Sequence, residues 1–208
     1  MPPTAPTDAL GADPRPLTEL VPLGAINQLA ADVVAGNLQA ILELTTDILP
    51  SQPLPEAAFM SARRQYDAVK IINHLSALTS VRAPICLGLT SYDMGTPILT
   101  YVYGESQLGG RVAVVSFYRL TTAGREMTLE RLSKLSLHEV GHVLGLGHCW
   151  EHSCLMRSIR NIDQLDGLDL DFCESCSYEL NRRIRQMRAK GAGSVGPSDA
   201  APTITGTD

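Results

Sequence analysis

The chain contains no run of about eighteen apolar residues, the length a helix needs to cross a bilayer, so no membrane span is expected. It also lacks a basic footprint. Lys and Arg number 17 against 22 Asp and Glu, a formal net charge of -5, and the cations are scattered, so nucleic acid is not an expected partner. No internal repeat is visible. The first residues, Met1 to Pro16, carry Pro2, Pro3, Pro6, Pro14 and Pro16 with no apolar leader segment, which predicts a cytoplasmic protein. With 208 residues and 44% hydrophobic content the chain suits one domain with a sizeable core. Residues 17–188 are assigned to that domain, taken as a monomer. Residues 1–16 and 189–208, rich in proline at one end and in glycine, serine, threonine and proline at the other, read as disordered tails.

What the chain does have is concentrated in one stretch. His138, Glu139 and His142 spell H-E-x-x-H, and residues four apart lie one above the other on a helix, so two imidazoles can meet one ion with a carboxylate beside them. A third ligand must come from elsewhere. Gly145 can take left-handed backbone angles at little cost, ending the helix and turning the chain back so that His148 reaches the same ion. Three neutral imidazoles leave a tetrahedral zinc with one position for water, whose pKa the metal lowers toward ~7. Glu139 is then placed as general base, taking the proton of that water as it attacks a carbonyl and passing it to the departing nitrogen. The expected chemistry is amide hydrolysis without a covalent intermediate. Met156, downstream of the third histidine, stands where the metzincin pattern of metallopeptidases carries the methionine of its Met-turn, a packing residue beneath the ligands.

Cysteine is sparse, five in all, yet four are paired by spacing. Cys149 and Cys154 enclose four residues, Cys173 and Cys176 enclose two, and such knuckles are expected of a closed four-thiolate zinc site with a structural role. Two disulfides are the alternative, which the expected compartment disfavours. Cys86, inside the apolar run Ile85-Cys86-Leu87, reads as a buried thiol. His152 lies inside the first knuckle and is expected to be a solvated loop residue. Consecutive side chains diverge, so His148 and Cys149 can serve two ions from one segment, and loss of the structural ion should loosen the third histidine.

The combined pattern, H-E-x-x-H-x-x-G-x-x-H-C, four residues, C-x-M and a closing C-x-x-C, resembles the archaemetzincin family, zinc peptidases of the metzincin clan. Arg64-Gln65-Tyr66 opening a helix, Tyr103-Gly104-Glu105, and Val115-Ser116-Phe117-Tyr118-Arg119-Leu120 are similar to segments of that family too, so the resemblance runs from Leu17 to Arg188. It implies a zinc metallopeptidase acting on peptides or proteins, cleaving near an N-terminus in short substrates. By resemblance His138, His142 and His148 bind a catalytic zinc, Glu139 is the base, and the four cysteines bind a second, structural zinc, two ions in all. Some metzincins carry a tyrosine two residues after the methionine, where Ser158 stands here, so that metal switch is absent. The alternative function is a non-catalytic zinc protein of the same fold that binds peptides or has a closed cleft.

The expected fold is α+β: a metzincin-like mixed twisted sheet with packed helices, an active-site helix and a zinc-stabilised C-terminal segment. Apolar periodicity predicts strands at Leu17 to Leu23, Thr45 to Leu49, Ala83 to Thr90, Thr100 to Tyr103 and Val112 to Leu120. Helices are predicted at Ile26 to Leu44, Ser61 to Leu78, along Leu129, Leu132 and Leu135 to the histidines, and at Tyr178 to Met187. Arg131 and Lys134 read as a solvated helix face. Asp163, Asp166, Asp169 and Asp171 read as a solvated acidic loop, with Asp166 the best candidate for a carboxylate that orients a metal-bound histidine. Tyr92, Asp93 and Glu105 either line the cleft or cap turns.

Overall fold

Two segments, β1 (Thr18–Leu23) and β5 (Ile85–Thr90), are buried along their whole length and pair in parallel. Strands buried on both faces need layers on both sides, and the chain supplies them. The computed structural model describes residues 16–78 and 80–192; the expected tails lie outside the described residues, except at the edges of the domain. After β1 come α1 (Gln28–Leu42), β2 (Thr46–Ile48), β3 (Phe59–Met60), β4 (Gln65–Asp67) and α2 (Ala68–Ala77). After β5 come β6 (Met94–Gly95), β7 (Gly104–Ser106), β8 (Val112–Ser116), α3 (Arg125–Val143), α4 (Ile162–Asp166) and α5 (Glu174–Ala192).

The main sheet has the order β2-β1-β5-β8-β7, with all pairings parallel except β7 against β8. Strand alternation divides the core in two. Leu20, Leu87, Ala113 and Val115 face α1 and α3, where Val34, Leu38, Leu132 and Val140 meet them. Val21, Cys86, Val112 and Val114 face α2, with Ile71, Ile72 and Leu75. Helices on a mixed sheet are the α+β architecture that the residue pattern predicts. No helix among the described residues is long and apolar enough to cross a membrane.

Several boundaries differ from expectation. The helix predicted from Ser61 starts at Ala68, because Asp67 caps it: its Oδ1 accepts from the N–H groups of Val69 at 3.0 Å and Lys70 at 3.3 Å. The residues before the cap form a small sheet in the order β3-β4-β6 instead, so Gln65 and Tyr66 are strand residues. Thr100 to Tyr103 is a loop rather than a strand, and the edge strand begins at Gly104. Arg63 holds that loop by donating to the carbonyls of Thr96 at 2.9 Å, Leu99 at 2.7 Å and Thr100 at 2.6 Å. β8 stops at Ser116, and Tyr118–Ala123 coils into a 3₁₀ segment leading to α3. The last helix is longer than predicted at both ends, starting at Glu174 and running to Ala192. Within the acidic run Asn161 caps the short α4 by accepting from Gln164 N–H at 2.9 Å.

Candidate functional site

α3 carries His138 and His142 one turn apart, and its C-terminus is shaped by Gly145 at φ +91, an angle that glycine tolerates and other residues avoid. Gly145 N–H returns to His142 O at 2.8 Å and Leu146 N–H to Gly141 O at 3.0 Å, closing the helix and sending the chain back toward its own face. His148 then lies with its ring centre 5.6 Å from that of His138 and 4.9 Å from that of His142. One nitrogen from each of the three rings falls within 4.8 Å of the others.

Two backbone carbonyls orient these rings. His138 Nδ1 lies 2.7 Å from Leu155 O, and His142 Nδ1 lies 2.7 Å from Leu146 O. A carbonyl only accepts, so each Nδ1 carries the proton and each Nε2 keeps its lone pair. Those two Nε2 atoms are 3.0 Å apart. Two facing lone pairs repel, and a cation between them reverses the sign. Tetrahedral zinc with Zn–N bonds near 2.0–2.1 Å sets ligand nitrogens about 3.3 Å apart, so the donors present fit that ion. Burial pushes the His138 imidazolium down to about 4 and also lowers His148, keeping both rings neutral near pH 7.

Glu139 sits on the next position of α3, 7% exposed, with its Oε2 accepting from Ser106 Oγ at 2.6 Å. Burial pushes its carboxyl up to about 7; the Ser106 bond opposes that shift. A cation on the neighbouring histidines favours the ionised form. Gly104 makes room for this side chain, since a Cβ there would stand 2.5 Å from Glu139 Oε1. On the opposite side of α3, Met156 is fully buried against Gly141, where a Cβ would collide with its sulfur. The methionine lies one residue after Leu155, the residue whose carbonyl orients His138, so one turn supplies both packing and alignment.

These groups open onto a cleft of about 700 Å³. Its walls include the edge strand β7, the loop residues Leu99 and Tyr101, and Ser158 and Ile159 after the methionine. Glu105 also lines it, whereas Asp93 does not: both Asp93 oxygens accept from Arg119 at 2.7 Å, and Gln65 Nε2 donates to Oδ2 at 2.9 Å. Tyr92 packs edge-on against Tyr66.

The four cysteines converge separately, their sulfurs within 4.8 Å of one another and none in a disulfide. Cys149 Sγ and Cys173 Sγ are 3.8 Å apart. A disulfide sets sulfurs near 2.05 Å, while tetrahedral zinc with Zn–S bonds near 2.3 Å sets them about 3.8 Å apart. The spacing therefore suits a shared ion. Glu151 N–H points at Cys149 Sγ and Cys173 N–H at Cys154 Sγ, each at 3.4 Å, favouring thiolate charge. His152 is exposed and stays outside the cluster. Cys86 is fully buried, its thiol pushed up to about 12 by burial.

The expectation for Arg131, Lys134 and Asp166 is corrected. Arg131 is 4% and Lys134 2% exposed, so neither belongs to a solvated face. Arg131 grips Asp166 with two bonds, Nε to Oδ1 at 2.7 Å and Nη2 to Oδ2 at 2.6 Å, and donates to Leu120 O at 3.0 Å. Lys134 pairs with Glu130 at 2.7 Å. Asp166 thus anchors α4 to α3, and the work of orienting histidines falls to the carbonyls of Leu146 and Leu155. Sequence reading missed Ser106, Gly104 and these carbonyls. The i, i+2 spacing of Gly104 and Ser106 was the available signal, but only with the strand placed at Gly104.

Comparison with known proteins matches the model of peptidase family M54 to residues 42–182. The archaemetzincin of Archaeoglobus fulgidus is 33% identical over 156 residues, covering 75% of this chain and 94% of its own. The crystal structure of archaemetzincin from Methanopyrus kandleri superposes with a TM-score of 0.74 at 30% identity, over 86% of this chain and 99% of that one. A zinc-dependent peptidase from Methanocorpusculum labreanum gives a TM-score of 0.70 at 27% identity, over 79% of this chain and 100% of its own.

Proposed function

Because the chain belongs to peptidase family M54, the archaemetzincins, and is a zinc metallopeptidase, we propose that His138, His142 and His148 hold the catalytic zinc while Glu139 serves as general base in peptide-bond hydrolysis. The observation that carries this reading is the pair of bare Nε2 atoms 3.0 Å apart, beside a buried carboxylate, at the floor of an open cleft. Zinc, when bound, supplies Lewis acidity, lowering the pKa of a water toward ~7 and polarising a carbonyl. Glu139 takes the proton that the attacking water sheds and delivers it to the amine nitrogen as the peptide bond breaks. Met156 supports the helix beneath the histidines and is not a ligand.

An extended peptide suits the cleft. Gln107 N–H bonds Val112 O at 2.9 Å and Ser116 N–H bonds Tyr103 O at 2.8 Å, which puts Gly104 and Ser106 at positions whose backbone groups face away from β8. A substrate strand can pair with that free edge. We assign Cys149, Cys154, Cys173 and Cys176 to a second, structural zinc, since four thiols in tetrahedral spacing leave no position for chemistry. The cleft's volume favours an enzyme over a protein with a closed site.

The test is a mixed-peptide digest by the zinc-loaded chain, with elemental analysis alongside. Cleavage that disappears in Glu139→Gln, with two zinc ions per chain in both proteins, is expected. Undiminished cleavage by the variant would remove Glu139 from the mechanism, and a single zinc with oxidised cysteines would remove the second site.

A further inference from the structure

Glu139 has to aim a carboxylate that its own backbone leaves free to rotate. On α3 it has three side-chain torsions, and the neighbouring histidines give it no hydrogen bond. What surrounds it comes from another element, the edge strand β7. Gly104 and Ser106 lie two apart on that strand, on the face that looks toward α3, as their partners Val115 and Ala113 in the same core layer require. Gly104 leaves the space that Glu139 Oε1 occupies, and Ser106 donates its hydroxyl to Oε2 at 2.6 Å, the length of a charge-assisted bond. One oxygen is fenced by close approach; the other is tethered.

We propose that Ser106 is a positioning residue for Glu139, holding the carboxylate turned toward the cleft from the strand along which the substrate lies, with Gly104 as the required gap beside it. This rests on Glu139 acting as general base. Because β7 both seats the carboxylate and offers the peptide its free edge, the distance from base to scissile bond is set within one strand. Ser106 acts through Glu139 alone, by its bond to Oε2, and is not among the groups that could hold the ion.

The experiment uses the full zinc-loaded chain and the quenched fluorogenic peptide that the wild type cleaves fastest from a mixed set. Ser106→Ala is expected to lower kcat about 10- to 100-fold, the range for a lost hydrogen bond to a charged group, with KM within about twofold. Zinc content and melting temperature should stay at wild-type values, and Ser106→Thr, which keeps the hydroxyl, should restore most of kcat. A crystal structure of Ser106→Ala should show the Glu139 carboxylate turned away from its wild-type position. An unchanged kcat, a carboxylate still in place, or a loss that threonine leaves unrepaired would overturn the assignment. Glu139→Gln is run in parallel: full activity there would refute the general-base reading itself, whatever Ser106 does.

Discussion

The two candidate metal centres share one peptide bond, His148-Cys149, and are built on opposite principles. At the first, three nitrogens come from a long helix and the turn after it, two rings are aimed by backbone carbonyls, and the centre opens onto a cleft of about 700 Å³. At the second, four sulfurs from two short segments face one another, and none of them lines that cleft. Three donors beside space make a place for chemistry. Four donors without it make a clamp. An ion held by the four cysteines would tie the segment after α3 to the start of α5, and so fix the turn that presents His148.

The largest effect expected is at the open centre alone. Glu139→Gln should cut turnover about 10²- to 10⁴-fold, the usual worth of a general base, while leaving both metal contents unchanged in elemental analysis. Next comes the closed centre. Cys173→Ser should release the second ion, lower the melting temperature by on the order of 10 °C, and weaken zinc retention by the histidines in a chelator titration. An unaltered melting curve would break the contrast between clamp and catalyst. In the wild type the same titration should empty the histidine centre first, with the cysteine-bound ion leaving only on unfolding.

Smaller effects probe what joins the two. Gly141→Ala pushes a Cβ into the sulfur of Met156, and overpacking of this kind costs about 1–3 kcal/mol. Thermal melts should show that loss, and turnover should fall as the helix shifts under the histidines. The smallest concerns the bridge between α3 and α4. The Arg131 guanidinium holds the Asp166 carboxyl below its usual value, so the pair's contribution is complete above about pH 4 and disappears as pH falls through the lowered value. Asp166→Asn should therefore melt below the wild type at pH 7, with the gap narrowing toward pH 3. A gap that widened in acid would refute this origin.

Much of this was legible from residue order. His138 and His142 at helical spacing, a glycine before His148, and the two cysteine knuckles pointed to the two groups that the fold brings together, and apolar patterning pointed to the central strands β1 and β5. Short elements were less legible. β7 has three residues and carries Gly104 and Ser106, which pattern alone left in the gap between the strands predicted at Thr100 to Tyr103 and Val112 to Leu120. The helix capped by Asp67 begins seven residues after the predicted start, because local hydrophobic periodicity does not reveal which polar side chain turns back on the backbone.

Sequence by itself determined the candidate donors, their chemical softness and their grouping, because side-chain identity is covalent and helical spacing is local. Only the tertiary structure decided what surrounds them. Whether Arg131 faces water or Asp166, which carbonyl aligns His138, and which hydroxyl steadies Glu139 depend on segments that meet across 35, 17 and 33 residues of chain. Those meetings follow from how two core layers pack on one sheet, and no single stretch of residues encodes them.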